Sequence, residues 1–395
     1  METLPSESSA PPRVPRACTE SIGERSRLEW WIADGNDPAH LLQDFLADNG
    51  LGVRNLARTS RKRHDAATGV CGAAVFVSAA AGAAMVGGPP GPLTPVPAVP
   101  DLVAVVYAHR RPRAAGGTRR PAALSVRAWR ESWTPARHAA AVAGIREAIA
   151  RGDVFQVNLV GHAAAAYTGD PLPGLARLGR LPGARYGGVL TGPGWAIGCA
   201  SPETLVQVER GRVLTRPIKG TRPATAAGRA ELLASPKERA EHVMIVDLER
   251  NDLGRVARTG SVRVDELYGI RLWADLWQAE STVSAALSDG CGLADLLRAV
   301  CPGGSVTGAP KLAALDEIAA WEPVGRGASM GGLGWVDAGG DLDLGLTIRT
   351  AAADGERLHV WAGGGITWGS DPWAEVAEAA AKAAPVRSAL TGGLR

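Results

Sequence analysis

Residues 205–223 read LVQVERGRVLTRPIKGTRP. Apolar residues alternate with polar ones in Leu205–Glu209 and again in Val213–Arg216, with Gly211 between them. Period-two alternation on both sides of a glycine predicts two strands joined by a tight turn. Adjacent strand pairs of this kind recur along the chain. They argue for an α+β fold with mostly antiparallel sheets and against a doubly wound parallel sheet. The same stretch ends in Arg216-Pro217-Ile218-Lys219-Gly220-Thr221-Arg222-Pro223, which reads as a tight, glycine-containing loop between two prolines. A lysine confined there has little freedom to reach water. It gives up its proton more readily than a surface lysine, and a neutral amine is a nucleophile.

Working outward, Leu333–Val336 and Leu344–Thr350 read as paired strands around Gly339-Gly340, and Arg357–Trp361 as a further strand. Val154–Val160, Val189–Ile197, Val70–Ala81 and Leu102–Ala108 read as strands as well. Helices are expected where a cap precedes a proline. These are Thr134-Pro135, Ser235-Pro236 (running to about Glu249) and Asp371-Pro372, with one more helix opened by Pro310.

Two of these helices each carry glutamates three residues apart: Glu238 with Glu241, and Glu375 with Glu378. Residues at i and i+3 share a face. Like charges there repel unless water or a cation lies between them, and oxygen-only ligands suit Mg²⁺. A solvated acidic face gives the same pattern. Between them, Cys301–Lys311 (CPGGSVTGAPK) is a glycine-rich run into a helix start, where free N–H groups favour an anion. It has the glycine spacing of a phosphate loop, but Ala309-Pro310 stands where Gly-Lys-Ser/Thr is needed. Carboxylate binding is the better reading.

Composition narrows the class. The chain has 395 residues, 46% hydrophobic and 21% charged, with a net charge of +3. That balance does not argue for nucleic acid or membrane binding. The basic runs Arg61–His64 and Arg110–Arg113 read as solvated loops. The cysteines (Cys18, Cys71, Cys199, Cys291, Cys301) have no CxxC spacing, so neither zinc nor a disulfide framework is indicated, which fits a reducing cytoplasm. No apolar run reaches the length of about 18 residues that a membrane helix needs. Residues 1–27 read as a polar, disordered tail without a signal core, and 28–120 as an N-terminal part that completes the sheets. A loop at Arg113–Arg120 marks the seam to a core over 121–390.

Seven runs in this core together resemble the chorismate-utilising enzyme family. They are Gly152–Leu159 (GDVFQVNL), Ser201-Pro202-Glu203, Pro217–Pro223, Glu238–Gly254 (ERAEHVMIVDLERNDLG), Gly303–Lys311, Asp341–Thr350 (DLDLGLTIRT) and Gly363–Glu378 (GGGITWGSDPWAEVAE). The resemblance implies a four-layer α/β/β/α fold with the site between two mostly antiparallel sheets. It implies Mg²⁺ on Glu241 and Glu378, with Glu238 and Glu375 as their partners. It implies Glu203 as the acid that protonates the leaving C4 hydroxyl, and Arg349 on the enolpyruvyl carboxylate. Thr221, Gly220, Thr307, Gly363, Gly365, Lys382 and Gln278 match other substrate-contacting positions. Lys219 looks like the nucleophilic lysine of the aminodeoxychorismate-forming branch; the anthranilate-forming branch resembles Pro-Ile-Ala-Gly-Thr there. Gln156 stands where isochorismate-forming members have a water-activating lysine.

The chain departs from the family pattern at Gln278, in a histidine's place, and at Ser329, in a tyrosine's place. It shows no tryptophan-binding leucine-leucine-glutamate-serine motif. The implied reaction is chorismate plus ammonia to 4-amino-4-deoxychorismate, toward 4-aminobenzoate and folate. No cysteine lies in a Gly-x-Cys-x-Gly elbow, so a separate glutamine amidotransferase subunit is implied as the ammonia source. An anthranilate-forming enzyme, a non-catalytic scaffold that activates an amidotransferase, and a nucleotide-binding protein are the competing readings.

Overall fold

Every strand pairing in this computed structural model is antiparallel among the residues it describes, which are 22–60, 65, 69–109, 122–273 and 276–392. In chain order the first part contains β1 (Ile22–Trp30), α1 (Pro38–Asp48), β2 (Val70–Val77), α2 (Ala79–Met85) and β3 (Leu102–His109). The strands β4 (Ser125–Val126) and β5 (Arg130–Glu131) precede α3 (Pro135–Arg151), β6 (Gln156–Thr168) and α4 (Leu172–Leu178). Next come β7 (Tyr186–Gly192), β8 (Trp195–Ser201), β9 (Thr204–Glu209), β10 (Arg212–Arg216) and β11 (Ile218–Pro223). After α5 (Ala226–Ala234) and α6 (Pro236–Gly254) come the long strands β12 (Arg263–Trp273) and β13 (Leu276–Ala286). The remainder is α7 (Leu293–Val300), β14 (Gly308–Ala309), α8 (Lys311–Trp321), β15 (Gly332–Asp337), β16 (Leu342–Leu346), β17 (Thr350–Ala353), β18 (Arg357–Ile366) and α9 (Pro372–Thr391).

Two sheets result. One runs β1-β3-β2-β15-β16-β9-β10-β13-β11, with β12 also on β13. The other runs β14-β6-β18-β17-β8-β7, with β4 and β5 on β6. A continuous core joins them: Val206, Leu205 and Leu344 of the first sheet cluster with Val160, Ile197, Ala352 and Trp361 of the second. Outside the second sheet, α3 and α8 pack Val142, Ile145, Leu315 and Ile318 on Val157 and Leu159 of β6. Helices α4 and α9 pack Leu175, Leu178, Val386 and Leu390 on Ala351, Ala353 and Val360. Outside the first sheet lie α1 and α7, whose Leu42, Leu46, Leu296 and Leu297 belong to the main core. This is the expected four-layer α+β arrangement. Strands β1, β2 and β3 reach the rest of the first sheet through β2 pairing with β15.

Local chemistry explains the element ends. The turn between β9 and β10 places Arg210 at φ 51° and Gly211 at φ 78°, the two left-handed residues that a two-residue hairpin needs. Thr134, Ser235 and Asp371 accept backbone N–H bonds as helix caps, each with a proline in the first turn.

Several sequence expectations need correction. The strand expected over Val70–Ala81 ends at Val77; Ser78 then caps α2 through Ala81 N, and the alanine run continues as helix. Val189–Ile197 is two strands, turned at Gly194 (φ 76°). Leu344–Thr350 breaks at Leu346, and the chain crosses to the second sheet before Thr350. The loop expected around Lys219 is strand β11, paired with β13. Helix α6 runs on to Gly254 rather than stopping near Glu249. The tail boundary at residue 27 falls inside β1. Residues 1–21, Arg61–His64, Arg110–Arg113 and the Arg113–Arg120 seam lie outside the described residues.

The glycine-rich run at 303–310 is tied to β6 by Asn158 N–H to Thr307 O (2.6 Å) and Phe155 N–H to Ala309 O (2.7 Å). Arg326 completes the tie. Its guanidinium donates to Val306 O (2.6 Å), to Asn158 O (2.7 Å) and to the Glu322 carboxylate (2.7 Å), which also accepts from Val160 N (2.9 Å). Removing one partner of a buried pair strands the other charge. Arg326→Met is therefore expected to cost ~3–5 kcal/mol in urea unfolding, and the double change Glu322→Gln/Arg326→Met is expected to recover part of that loss.

Candidate active site

The two sheets come together around Lys219. Strand β11 brings it in, and its Nζ donates to Ser305 O in the glycine-rich run at 3.5 Å. A Cβ placed on Gly365 of β18 would meet Lys219 Nζ at 3.3 Å and Gln156 Nε2 of β6 at 2.9 Å. The amine of one sheet thus lies close to the backbone of the other, and a side chain at Gly365 would push the ends of Lys219 and Gln156 aside. Gly363 is constrained within its own sheet, where a Cβ would meet Leu159 O of β6 at 1.9 Å. Burial pulls the half-buried Lys219 ammonium below its usual pKa, against the attraction of Glu203.

Glu203 sits between β8 and β9 and is almost fully buried. Burial pushes its carboxyl above the usual range; a hydrogen bond from Ser305 Oγ to Oε1 (2.7 Å) and the charge of Lys219 oppose this. One physical cause, loss of water, therefore moves an acid up and an amine down. Both shifts run toward the protonation states that a general acid and an amine nucleophile need.

Arg349 lies where the chain crosses from β16 to β17, at φ 50°, with its carbonyl held by Ala200 N–H at 3.2 Å. Its guanidinium is within the field of Glu203, and burial lowers its pKa. Among the described residues that guanidinium makes no hydrogen bond, which leaves a planar fork for a carboxylate.

The glutamates come from α6 and α9. Glu375 Oε2 and Glu378 Oε1 lie 3.1 and 3.6 Å from a Cβ placed on Gly364, beside Lys382 Nζ at 3.6 Å. Lys382 pairs with Glu378 (2.6 Å) and donates to Gly363 O (3.0 Å). Glu375 accepts from Ser370 Oγ (2.7 Å), Glu241 from Thr367 Oγ1 (3.4 Å), and Glu238 from Arg222 (3.3 Å). Glu241 and Glu378, one from each helix, both favour the charged form of Lys219, behind the larger effects of burial, Glu203 and Lys382. The all-oxygen donor set suits a hard divalent cation. As the side chains stand, no three acidic, histidine or cysteine groups among the described residues lie close enough together to hold one ion.

Other expected contacts are placed differently. Thr307 is buried and donates its hydroxyl to Gly303 O (2.8 Å), inside the run rather than toward the amine. Thr221 is exposed and faces Gln278 across β11 and β13. Gly220 takes φ 78°, and a Cβ there would meet Glu238 Oε2 at 3.0 Å. The buried Gln278 Oε1 and both amide atoms of Gln156 have no hydrogen-bond partner. Ser329 donates to Thr347 O (3.1 Å), on the segment leading to Arg349. Sequence reasoning missed Ser305, which holds Glu203; a hydroxyl inside Gly-Gly-Ser-Val was the available signal. It also missed Glu249, Asp252 and Lys311, which form a buried charged cluster behind it.

The family model described as chorismate binding enzyme matches residues 105–388. Aminodeoxychorismate synthase component 1 of Salmonella typhimurium is 40% identical over 267 residues, covering 66% of this chain and 59% of that protein. Anthranilate synthase component 1 of Streptomyces coelicolor is 39% identical over 277 residues, covering 68% and 54%. The crystal structure of anthranilate synthase component I from Streptococcus pneumoniae superimposes with a TM-score of 0.75 at 26% identity, over 97% of this chain and 95% of that one. The chain thus spans less than two thirds of the length of these curated relatives.

A lysine whose folded-state pKa lies below its ordinary 10.5 binds its proton more weakly in the folded protein than in the unfolded one. The resulting penalty is fully present below the folded value and is relieved as pH rises toward 10.5. Lys219→Met is accordingly expected to raise the unfolding midpoint in urea most at neutral pH, with a gain that shrinks toward alkaline pH. A gain that grows with pH would contradict the assignment.

Proposed function

The chain belongs to the chorismate-binding enzymes, and on that premise we propose that it converts chorismate and ammonia to 4-amino-4-deoxychorismate. The observation that carries this reading is Lys219 beside Glu203, an amine and a carboxyl shifted toward each other by burial. Arg349 binds one carboxylate of the dianionic substrate. Glu203 donates its proton to the C4 hydroxyl as Lys219 attacks C2, and both conjugated ring double bonds shift as water leaves C4. Ammonia then attacks C4, both double bonds shift back, and the Lys219 amine departs from C2. Two allylic displacements replace one direct substitution. Gln156 cannot take a proton from water, so this wall of the site offers no base for attack by water at C2.

Glu241 and Glu378 would hold Mg²⁺, with Glu238 and Glu375 as their partners, and the ion would supply positive charge for the second substrate carboxylate. Lys382, paired with Glu378 at 2.6 Å, would offer a further cation to the same anionic group. The reading also assigns ammonia supply to a separate glutamine amidotransferase. Supporting this, Cys199, Cys291 and Cys301 are buried thiols pushed up by burial, the last two to about 11 and about 12, which is the reverse of a nucleophile's environment. Among the described residues no helix is long and apolar enough to cross a membrane.

An anthranilate-forming activity is the second reading, favoured by the likeness to the Streptococcus pneumoniae structure. Mass identification of the product separates the two. With chorismate, Mg²⁺ and ammonium salt, the expected product is 4-amino-4-deoxychorismate; anthranilate as the product would reject the proposal. Lys219→Ala is expected to lower the rate by at least ~10²-fold, and Lys219→Arg not to rescue it, since guanidinium stays protonated. An adduct on the Lys219 peptide during turnover is expected from the wild type.

The metal assignment has its own check. Glu241→Ala and Glu378→Ala are each expected to abolish Mg²⁺ binding in calorimetry together with turnover. Full activity of the wild type in excess chelator would overturn it.

A further inference from the structure

The outer face of the second sheet carries two separate apolar clusters, one under α3 and α8 and one under α4 and α9. At the seam between them lies a cavity of about 190 Å³, lined by none of the residues gathered around Lys219. Trp133 of the first cluster lines it, and so does Ala383 of the second. Its sheet side is Gly161 of β6 and Ala362 of β18, and its helix side is Ala379, Ala380 and Ala383 of α9. Side chains this small do not span the seam, so the two clusters fail to merge there. An apolar cavity of about 150 Å³ holds a benzene ring. This one has room for a six-membered ring and a small substituent.

The nitrogen groups that line it lack acceptors. Trp133 is 8% exposed and His138 5% exposed, and their rings stack at 4.4 Å. Among the described residues neither the Trp133 indole N–H nor the His138 ring makes a hydrogen bond, and burial alone lowers the His138 pKa, which keeps the ring neutral with one N–H to donate. Trp133 Nε1 lies 3.0 Å from where a Cβ on Gly161 would stand, so the indole N–H lies beside bare backbone. Arg387 pairs through Nη2 with Glu131 at 2.8 Å and lies over the Trp129 ring, while its Nε is buried without a partner. Glu131, the acidic group at this cavity, is half-exposed and screened by water. Helix α3 begins at Pro135, on the same lining, which adds the positive end of its dipole.

We propose that this cavity binds a small aromatic monocarboxylate, with the ring against Gly161, Ala362 and the α9 alanines and the carboxylate taking up the unmet donors. A carboxylate is acceptor-only and carries lone pairs for several N–H groups at once. Its bond to a guanidinium is charge-assisted. An ammonium would set donors against donors, and a plain hydrocarbon ring would fill the volume but leave the N–H groups unmet. Val376 and Ala379 of the helix wall are the neighbours of Glu375 and Glu378, so the bound ring and the proposed metal site share one helix. The inference stands apart from the proposed function, because binding is read without turnover.

The test is titration of the full chain with 4-fluorobenzoate, followed by fluorine NMR. Saturable binding is expected, and 4-fluorobenzamide, of the same shape without the charge, is expected to bind at least ~10-fold more weakly. Ala380→Phe fills the cavity from an exposed helix position and is expected to weaken benzoate binding at least ~10-fold, as is Arg387→Gln. Arg349→Ala, which removes the fork of the candidate active site, is expected to leave this binding within about twofold of the wild type. No saturable binding, equal affinity for the amide, or wild-type affinity in Ala380→Phe would each overturn the proposal. So would loss of binding in Arg349→Ala, since the ligand would then occupy the candidate active site. Should Ala380→Phe not fold, magnetisation transfer in the wild type decides. Transfer from the ligand ring to the methyl groups of Val376 and Ala379 is expected, and its absence counts against the proposal.

Discussion

The withdrawal of Lys219 and Glu203 from water is the constraint on which the rest of this site depends. In water the proton would rest on the amine, leaving a carboxylate unable to donate and an ammonium unable to attack. Between the two sheets the charged forms of both groups are penalised, which shifts the balance toward neutral acid and neutral amine. Neither shift requires a special residue type. It requires that two sheets meet closely enough to exclude solvent, and at Gly365 the missing side chain leaves room for the Lys219 amine of the other sheet.

The two halves of the site are carried by different sheets, so their relative position is a matter of how the sheets are tied. Lys219 belongs to the first sheet, and Gln156 and the glycines to the second. Three features hold them in register. The chain itself crosses between β16 and β17, with Arg349 at the crossing in a left-handed conformation. The run at 303–310 leaves α7 and pairs with β6. Arg326 binds that run, β6 and Glu322 at once. Strain at a non-glycine residue persists only where its surroundings over-determine it, and Arg349 is fixed on both sides by strands of different sheets.

What was legible in the sequence follows from this division. The starts of α3, α6 and α9 were readable because a cap and a proline act over four residues, and the β9–β10 turn because Arg210-Gly211 is local chemistry. The α+β class followed from adjacent strand pairs. Strand β11 read as a loop because proline and glycine flank it, and only its distant partner β13 makes it a strand. Strands β12 and β13 themselves were not recognised, since their pairing partners lie elsewhere in the chain. Lys219 stood out by its confined segment and the four glutamates by their spacing, while Glu203 and Arg349 were found through the family resemblance. Ser305, Glu249 and Asp252 were not, because their significance lies in what buries them. Ile245, Glu249 and Asp252 do recur at helical spacing on α6, so acidic residues in an apolar stripe were the signal available.

The unpaired amide of Gln156 shows how such a site distinguishes its ligands. Both its nitrogen and its oxygen are buried without partners, close to Gly365 and Lys219. An unmet buried polar group costs about 1–3 kcal/mol, a penalty that a ligand of matching polarity removes and an ill-matched one retains. The free guanidinium of Arg349 poses the same demand with a charge. A substrate that supplies a carboxylate to the arginine and a hydroxyl to the amide relieves both at once, and discrimination then rests on groups left unsatisfied by the alternatives. Among the described residues, the features that make the site costly, an orphaned amide, an arginine without a hydrogen bond and a lysine drawn from water, are therefore those that a dianionic, hydroxyl-bearing ring would settle, leaving the amine facing it.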